Sequence, residues 1–298
     1  MPTFSSAAEV ESALAKASYL ADPRAAMALF LAMSLERPIL VEGPPGVGKT
    51  DLARAAAEIT GRTLVRLSCY EGLDEDKALY EWDYAKQILT TELCREVVGR
   101  TLSGAATIAE ATSRVMASDA AFFAEHFLVE RPILRAIRSP QPTVLLIDEV
   151  DRGDPELEAL LLEVLATFQV TVPELGTFTA QTPPIVILTT NGTRDMTDAL
   201  RRRCFHAFLD YPPPSRELEI VKMRAPGVDA ALAEQIVRFV ERVRKLDVKK
   251  PPSISETIDW ARALVVLGAS TLGREVVDAT LAVLIKHESD RAAVVALV

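Results

Sequence analysis

The run Gly43-Pro44-Pro45-Gly46-Val47-Gly48-Lys49-Thr50 has the spacing G-x-x-x-x-G-K-[ST]. Its glycines let the backbone wrap closely around an anion, so that successive N–H groups and the start of the following helix face phosphate oxygens. In that pattern Lys49 reaches the terminal phosphates and the Thr50 hydroxyl binds Mg2+. A Gly-Pro turn running into a helix would use the same residue types. Here, however, the run follows the apolar segment Ile39-Leu40-Val41 and opens a helix that Gly61 stops, which is the context a phosphate loop requires. The candidate cradle for ATP is therefore Gly43, Pro44, Pro45, Gly46, Val47, Gly48, Lys49, Thr50 and Asp51, with Asp148 from the next constellation.

Thr143-Val144-Leu145-Leu146-Ile147 ends in two adjacent carboxylates, Asp148 and Glu149. Ligands of open parallel sheets bind beyond the carboxyl ends of the strands, where this pair falls. Asp148, with Thr50, is the candidate Mg2+ ligand. Glu149 is the candidate base for a water molecule, since neighbouring side chains at a strand end point in different directions. The bland alternative is an acidic helix start, because Asp154-Pro155-Glu156 soon begins a helix. Ile185–Leu188 ends in Thr189-Thr190-Asn191, and an Asn there can bond both a terminal phosphate and the attacking water. Arg201, Arg202 and Arg203 precede Phe205–Leu209. They suit either a solvated helix end or a finger that neutralises transition-state charge in a neighbouring subunit.

These groups need a scaffold to bring them together. Ile39–Val41, Thr63–Leu67, Val144–Ile147, Ile185–Leu188 and Phe205–Leu209 are continuous apolar runs separated by helical stretches, the pattern of a parallel sheet covered on both faces. Ser6 with Glu9, and Asp22 before Pro23, mark two helix starts ahead of the first strand. About 75 residues separate the second and third strands, enough for extra helices. Within them Tyr70–Tyr84 concentrates three tyrosines and Trp82, for which burial in the core is the simplest role. Gln169–Ala180 reads as a β-hairpin. Tyr211-Pro212-Pro213-Pro214 forms a stiff connector, beyond which the chain reads as helix: Leu232, Ile236, Phe239, Val240 and Val243 make one apolar stripe. Pro251-Pro252-Ser253 opens another helix, and Val276–Ile285 is a third.

The 298 residues carry 42 Asp+Glu against 33 Lys+Arg, a formal charge of -9, which argues against a protein whose main work is gripping nucleic acid. Uncharged stretches such as Ala25–Leu35 are too short to span a membrane, and Met1–Ala21 lacks the basic start and apolar core of a secretory signal. Cys69, Cys94 and Cys204 lie far apart, as reduced cysteines of a cytoplasmic protein would.

GPPGVGKT, VLLIDEVDR, TTN and DALRRRC, followed by helices, together resemble the AAA+ ATPases and specifically their MoxR group. The Glu42-led phosphate loop, the hairpin before the Asn strand and the Tyr-Pro exit carry the MoxR likeness. The segments Cys69–Gln87 and Phe127–Ile137 are similar to the CoxD-like subgroup. The resemblance spans about Ala25 to Leu267. It implies an α/β P-loop AAA+ core with a parallel five-stranded sheet flanked by helices over residues 1–211, with a helical insertion at about 85–140 and the hairpin at 169–180. A smaller all-α lid would occupy 212–298.

The same resemblance implies Walker A roles for Lys49 and Thr50, Walker B roles for Asp148 and Glu149, and the sensor-1 role for Asn191. The trans-acting finger falls on Arg202 by counting back from Tyr211-Pro212, or on Arg203 by comparison with the Ser-Arg-Cys box of clamp loaders. The lid's sensor-2 arginine is replaced by Ser255, so Lys249, Lys250 or Arg262 substitutes or the contact is absent. The implied activity is Mg2+-dependent ATP hydrolysis by a homo-oligomeric ring, commonly hexameric, beside a von Willebrand factor A domain protein. The implied client is a metalloenzyme such as a molybdenum-containing carbon monoxide dehydrogenase. An ATPase acting on nucleic acid and an ATP-gated scaffold with little hydrolysis stand as the alternatives. The hairpin and the aromatic segment fall where such rings place partner-facing or pore-facing loops, and for the hairpin partner contact and packing are equally open.

Overall fold

The computed structural model describes residues 4–93, 99, 107–110, 113, 124–173 and 175–298. All five apolar runs form strands: β1 (Ile39–Glu42), β2 (Thr63–Ser68), β5 (Thr143–Asp148), β8 (Ile185–Thr190) and β9 (Phe205–Phe208). They make one parallel sheet in the order β2-β5-β8-β1-β9. Parallel pairing needs crossover connections, and these cover both faces, which is why the strands are apolar on both sides. Leu40, Leu145, Ile147, Val186 and Leu188 face the helices Pro132–Arg138 and Pro155–Thr167. Their neighbours Ile39, Val41, Val144, Leu146 and Ile187 face Ala7–Lys16, Pro23–Ser34 and Lys49–Thr60.

The early helix starts are capped as their sequences require. The Ser6 hydroxyl accepts from the Glu9 N–H, and the Asp22 carboxylate accepts from the Arg24 N–H ahead of Pro23 in the first turn. The expected hairpin is present as β6 (Gln169–Val172) and β7 (Gly176–Thr179), with Val170 and Val172 buried against the sheet helices.

The long insertion differs from expectation. Its described ends hold not only helices but a two-stranded antiparallel ribbon, β3 (Tyr80–Trp82) with β4 (Leu128–Glu130). Strands of three residues are too short to display a period of two. Tyr80 and Trp82 pack half-buried from this ribbon onto the core, whereas Tyr70 and Tyr84 are exposed. Burial of all the aromatics is therefore corrected: alternation along one short strand can turn only Tyr80 and Trp82 inward. Much of the helical insertion at about 85–140, and Cys94, lie outside the described residues. Cys69 and Cys204 are buried free thiols, and burial pushes both up to about 12. Among the described residues no helix is long and apolar enough to cross a membrane.

Beyond Tyr211 the chain forms the helices Pro214–Arg224, Ala230–Arg244, Ile254–Val266 and Arg274–Leu284, and a short Glu288–Val295 that the sequence reading did not anticipate. The stripe Leu232, Ile236, Phe239, Val240 and Val243 is wholly buried around Trp260. Three of these helices are tied by a buried ion pair. Arg244 donates to Glu217 Oε2 at 2.6 Å and to Oε1 at 2.8 Å, Thr257 Oγ1 donates to Glu217 Oε1 at 2.9 Å, and Glu217 is 1% exposed. Replacing Glu217 with Ala leaves a buried guanidinium without its counter-ion. That loss is expected to cost about 3–5 kcal/mol of stability in urea unfolding.

Candidate functional site

Both β1 and β5 end at the same edge of the sheet, and the residues that follow them turn toward each other. After β1 the chain passes through Gly46 (φ 75°) and Gly48 (φ 98°), left-handed conformations that other residues adopt at a cost. Gly48 is the N-cap of Lys49–Thr60 and supplies no side-chain cap, so the N–H groups of that first turn remain open to an anion. Gly46 is constrained a second way: a Cβ there would stand 2.2 Å from Ser253 Oγ, at the start of the helix Ile254–Val266.

Lys49 is buried in the centre of this loop. Its Nζ donates to Gly43 O at 2.7 Å, Pro44 O at 2.9 Å and Asn191 Oδ1 at 2.8 Å. Burial lowers its pKa, and Asp151, Asp148 and Glu149 oppose that shift. Next to it, Thr50 Oγ1 lies 3.0 Å from Asp148 Oδ1, so a hydroxyl and a carboxylate converge as the hard oxygen donors Mg2+ prefers. The uncapped helix start and this oxygen pair both fit a metal-bound polyphosphate.

The strand-end carboxylates do point apart. Asp148 turns to Thr50, and Glu149, in a left-handed backbone conformation (φ 57°, ψ 50°), turns to Asn191, whose Nδ2 donates to Glu149 Oε1 at 3.2 Å. Thr189, at the end of β8, fixes both acids. Its hydroxyl donates to Asp148 Oδ1 at 2.6 Å and accepts from the Glu149 N–H at 2.9 Å. Glu149 Oε2 is also paired with Arg152 at 2.9 Å. One turn on, Asp151 accepts from the N–H groups of Asn191 (3.2 Å) and Thr193 (2.9 Å) and from the Thr193 hydroxyl (2.6 Å). Burial would raise the Asp151 pKa, but these hydrogen bonds outweigh it and hold the carboxyl below its usual range. Sequence reading missed Thr189 and Asp151 because a Thr in a buried strand and an Asp after a strand carry no spacing signal of their own.

The three arginines part company. Arg201 pairs with Glu42 at 3.2 Å, and Arg203 donates to the Leu162 carbonyl. Arg202 is exposed and, among the described residues, its side chain has no hydrogen bond or ion pair. Arg37 holds the end of their helix by donating to Arg202 O at 2.7 Å and Arg203 O at 3.2 Å.

At the position expected for sensor 2, Ser255 donates through its N–H and its hydroxyl to Gly46 O, each at 3.3 Å. Lys250 is paired with Glu256, and Arg262 with Asp259 and the Arg224 carbonyl. Arg224, 3.3 Å from Asp51, lines a cavity beside the loop, and Arg24 and Arg216 line a second that adjoins it. Asp51 is thus occupied by Arg224 and by Arg54 at 2.6 Å. Two adjoining cavities of ≈ 420 and ≈ 200 Å³ share Tyr19, Leu20, Val47, Ile220 and Ile254, apolar walls suited to a flat base. Those residues come from four separate segments, so no local pattern announces them. A Gly46→Ala variant should keep its far-UV spectrum yet bind an ATP analogue at least about tenfold more weakly by fluorescence titration. Its Cβ displaces Ser253, and the backbone must abandon a left-handed conformation.

An uncharacterized protein of Staphylococcus haemolyticus is 28% identical over 246 residues, covering 80% of this chain and 79% of its own. Another, from Staphylococcus aureus, is 28% identical over 245 residues, covering 80% and 78%. Among solved structures, a point mutant of Thermotoga maritima RuvB aligns with a TM-score of 0.49 at 19% identity, covering 94% of this chain and 71% of that one. The T. maritima RuvB Holliday junction branch migration motor aligns with a TM-score of 0.45 at 19% identity, covering 92% and 69%. The profile of the ATPase family associated with various cellular activities matches residues 39–211. That segment runs from the first residue of β1 to just past β9 and takes in more than half of the chain, which therefore belongs to the AAA family.

Proposed function

We propose that this chain is a Mg2+-dependent ATPase whose turnover drives a ring of its own copies. The observation that supports it is the convergence of Lys49, Thr50, Asp148, Glu149 and Asn191 at one sheet edge, linked by hydrogen bonds of 2.8–3.2 Å. In this reading the loop N–H groups from Gly43 to Thr50 cradle the phosphates, and Lys49 turns from the Gly43 and Pro44 carbonyls to the terminal phosphoryl group. Thr50 and Asp148 hold Mg2+, which when bound supplies positive charge to the phosphate oxygens. Glu149 orients and deprotonates the attacking water, with Asn191 fixing its carboxylate. Tyr19, Val47 and Ile254 enclose the base. Catalysis is then positioning and charge stabilisation rather than covalent chemistry.

AAA+ proteins commonly form rings, and the free, exposed guanidinium of Arg202 supports it over Arg203 as the finger offered to the next subunit. The division at 211/212 into a nucleotide-binding unit and a helical lid is supported by the separate apolar cluster of the C-terminal helices. The sequence likeness to the MoxR group, CoxD-like subgroup, supports a remodelling role on a client protein. In that role a von Willebrand factor A domain protein assists, and a metalloenzyme such as a molybdenum-containing carbon monoxide dehydrogenase is the client. The charge of -9 disfavours the nucleic-acid alternative.

Glu149→Gln is expected to bind ATP normally while turnover, followed as phosphate release, drops at least about a hundredfold. Lys49→Ala should bind no ATP. Normal turnover in Glu149→Gln would remove Glu149 as the base. For the ring, Arg202→Ala and Lys49→Ala should each be inactive alone, and mixing them should restore part of the activity. In mixed rings an intact pocket on one subunit meets an intact Arg202 on the next. No recovery on mixing would refute a finger acting in trans.

A further inference from the structure

Arg66 has no place in the phosphate-binding motif, yet it reaches the acid at its heart. Side chains alternate along β2: Val65 and Leu67 enter the core, and Arg66 and Ser68 lie on the opposite face. Arg66 pairs in register with Leu146 and Ser68 with Asp148, so Arg66 is the diagonal neighbour of Asp148 across the two strands. Its Nη2 lies 2.5 Å from Asp148 Oδ2. The Asp148 side chain is 6% exposed and that of Arg66 54%. A solvent-reaching cation is thereby tethered to a buried acid. The other partners of Asp148 are the neutral hydroxyls of Thr50 and Thr189, and Lys49 is directed at Gly43, Pro44 and Asn191. Among the described residues, Arg66 forms the one ion pair of Asp148.

We propose that Arg66 is a positioning residue that stands in for the divalent cation on Asp148 while the phosphates are absent, and yields that oxygen when metal and nucleotide enter together. This rests on the reading of Thr50 and Asp148 as the Mg2+ pair. A long, half-exposed side chain can swing into solvent at little cost. Two effects of opposite sign follow. Arg66 and the metal compete for one carboxylate, so loss of the guanidinium strengthens metal loading. Without metal, an uncompensated Asp148 repels the triphosphate, so the same loss weakens metal-free nucleotide binding. A residue that only braced β2 against β5 would move both in the same direction.

The test is equilibrium binding of a fluorescent, non-hydrolysable ATP analogue to the full chain, in EDTA and across a MgCl2 titration. Wild type, Arg66→Ala, Arg66→Gln and Arg66→Lys are compared. For Arg66→Ala, the MgCl2 concentration at half-saturation should fall about three- to fivefold and metal-free affinity should weaken by a similar factor, the size of one half-exposed ion pair. Arg66→Lys should stay near wild type. Arg66→Gln is shorter but keeps a polar, hydrogen-bonding side chain without charge, so it should follow Arg66→Ala and serves in its place should that variant not fold. An unchanged or raised half-saturation, or equal weakening in both media, would overturn the proposal. A wild-type chain that binds no analogue in either medium would instead overturn the nucleotide reading, and this inference with it.

Discussion

One buried ammonium organises the edge of this sheet. Taking the Lys49 cation out of water is expensive, by several kcal/mol even after relaxation. The surroundings offset this with two loop carbonyls, the Asn191 side chain and the nearby charges of Asp148, Glu149 and Asp151. Each of those acids needs its own partners in turn. Asp148 takes Arg66 and two threonine hydroxyls, Glu149 takes Arg152 and Asn191, and Asp151 takes the Asn191–Thr193 turn. Among the described residues the polar network around the lysine leaves one buried oxygen, Asp151 Oδ1, without a hydrogen-bond partner, and an arriving polyphosphate would exchange partners within the network rather than create a site anew.

The phosphate loop is also where two parts of the chain meet. Ser253 and Ser255, at the start of Ile254–Val266, sit against Gly46 so closely that no side chain fits there. Ser253 is held by a capping box with Glu256, which makes that helix start a rigid surface. The C-terminal helices behind it are locked by the Glu217–Arg244 pair and the Trp260 core. Any change in the loop's shape must be felt by the helix resting on it, and Arg224, bonded to Asp51, offers a second connection of the same kind.

Much of this was legible in the chain itself, and for particular reasons. The five strands were readable because parallel strands are buried on both faces and so appear as unbroken apolar runs. The amphipathic helix from Leu232 to Val243 was readable because one face alone is buried. The β3–β4 ribbon was not, because its two three-residue strands lie far apart in sequence and neither carries a periodic signal. The aromatic residues around it were divided between surface and core by that unseen pairing. Glu288–Val295 escaped because it is short and has few apolar residues to mark a stripe.

Sequence alone determined which local pieces could do chemistry: a glycine-rich turn before a helix, two acids after an apolar strand, an asparagine after another, and a trio of arginines. These are local facts, since spacing along a few residues dictates which backbone shapes are accessible. Only the tertiary structure decided which pieces face one another. It divided the three arginines among Glu42, solvent and the Leu162 carbonyl, set Arg66 on Asp148, and rested Ser255, already legible as a non-basic residue, on the Gly46 carbonyl. Contacts between residues 41 to 209 positions apart depend on strand order and register, and no short stretch of sequence encodes those.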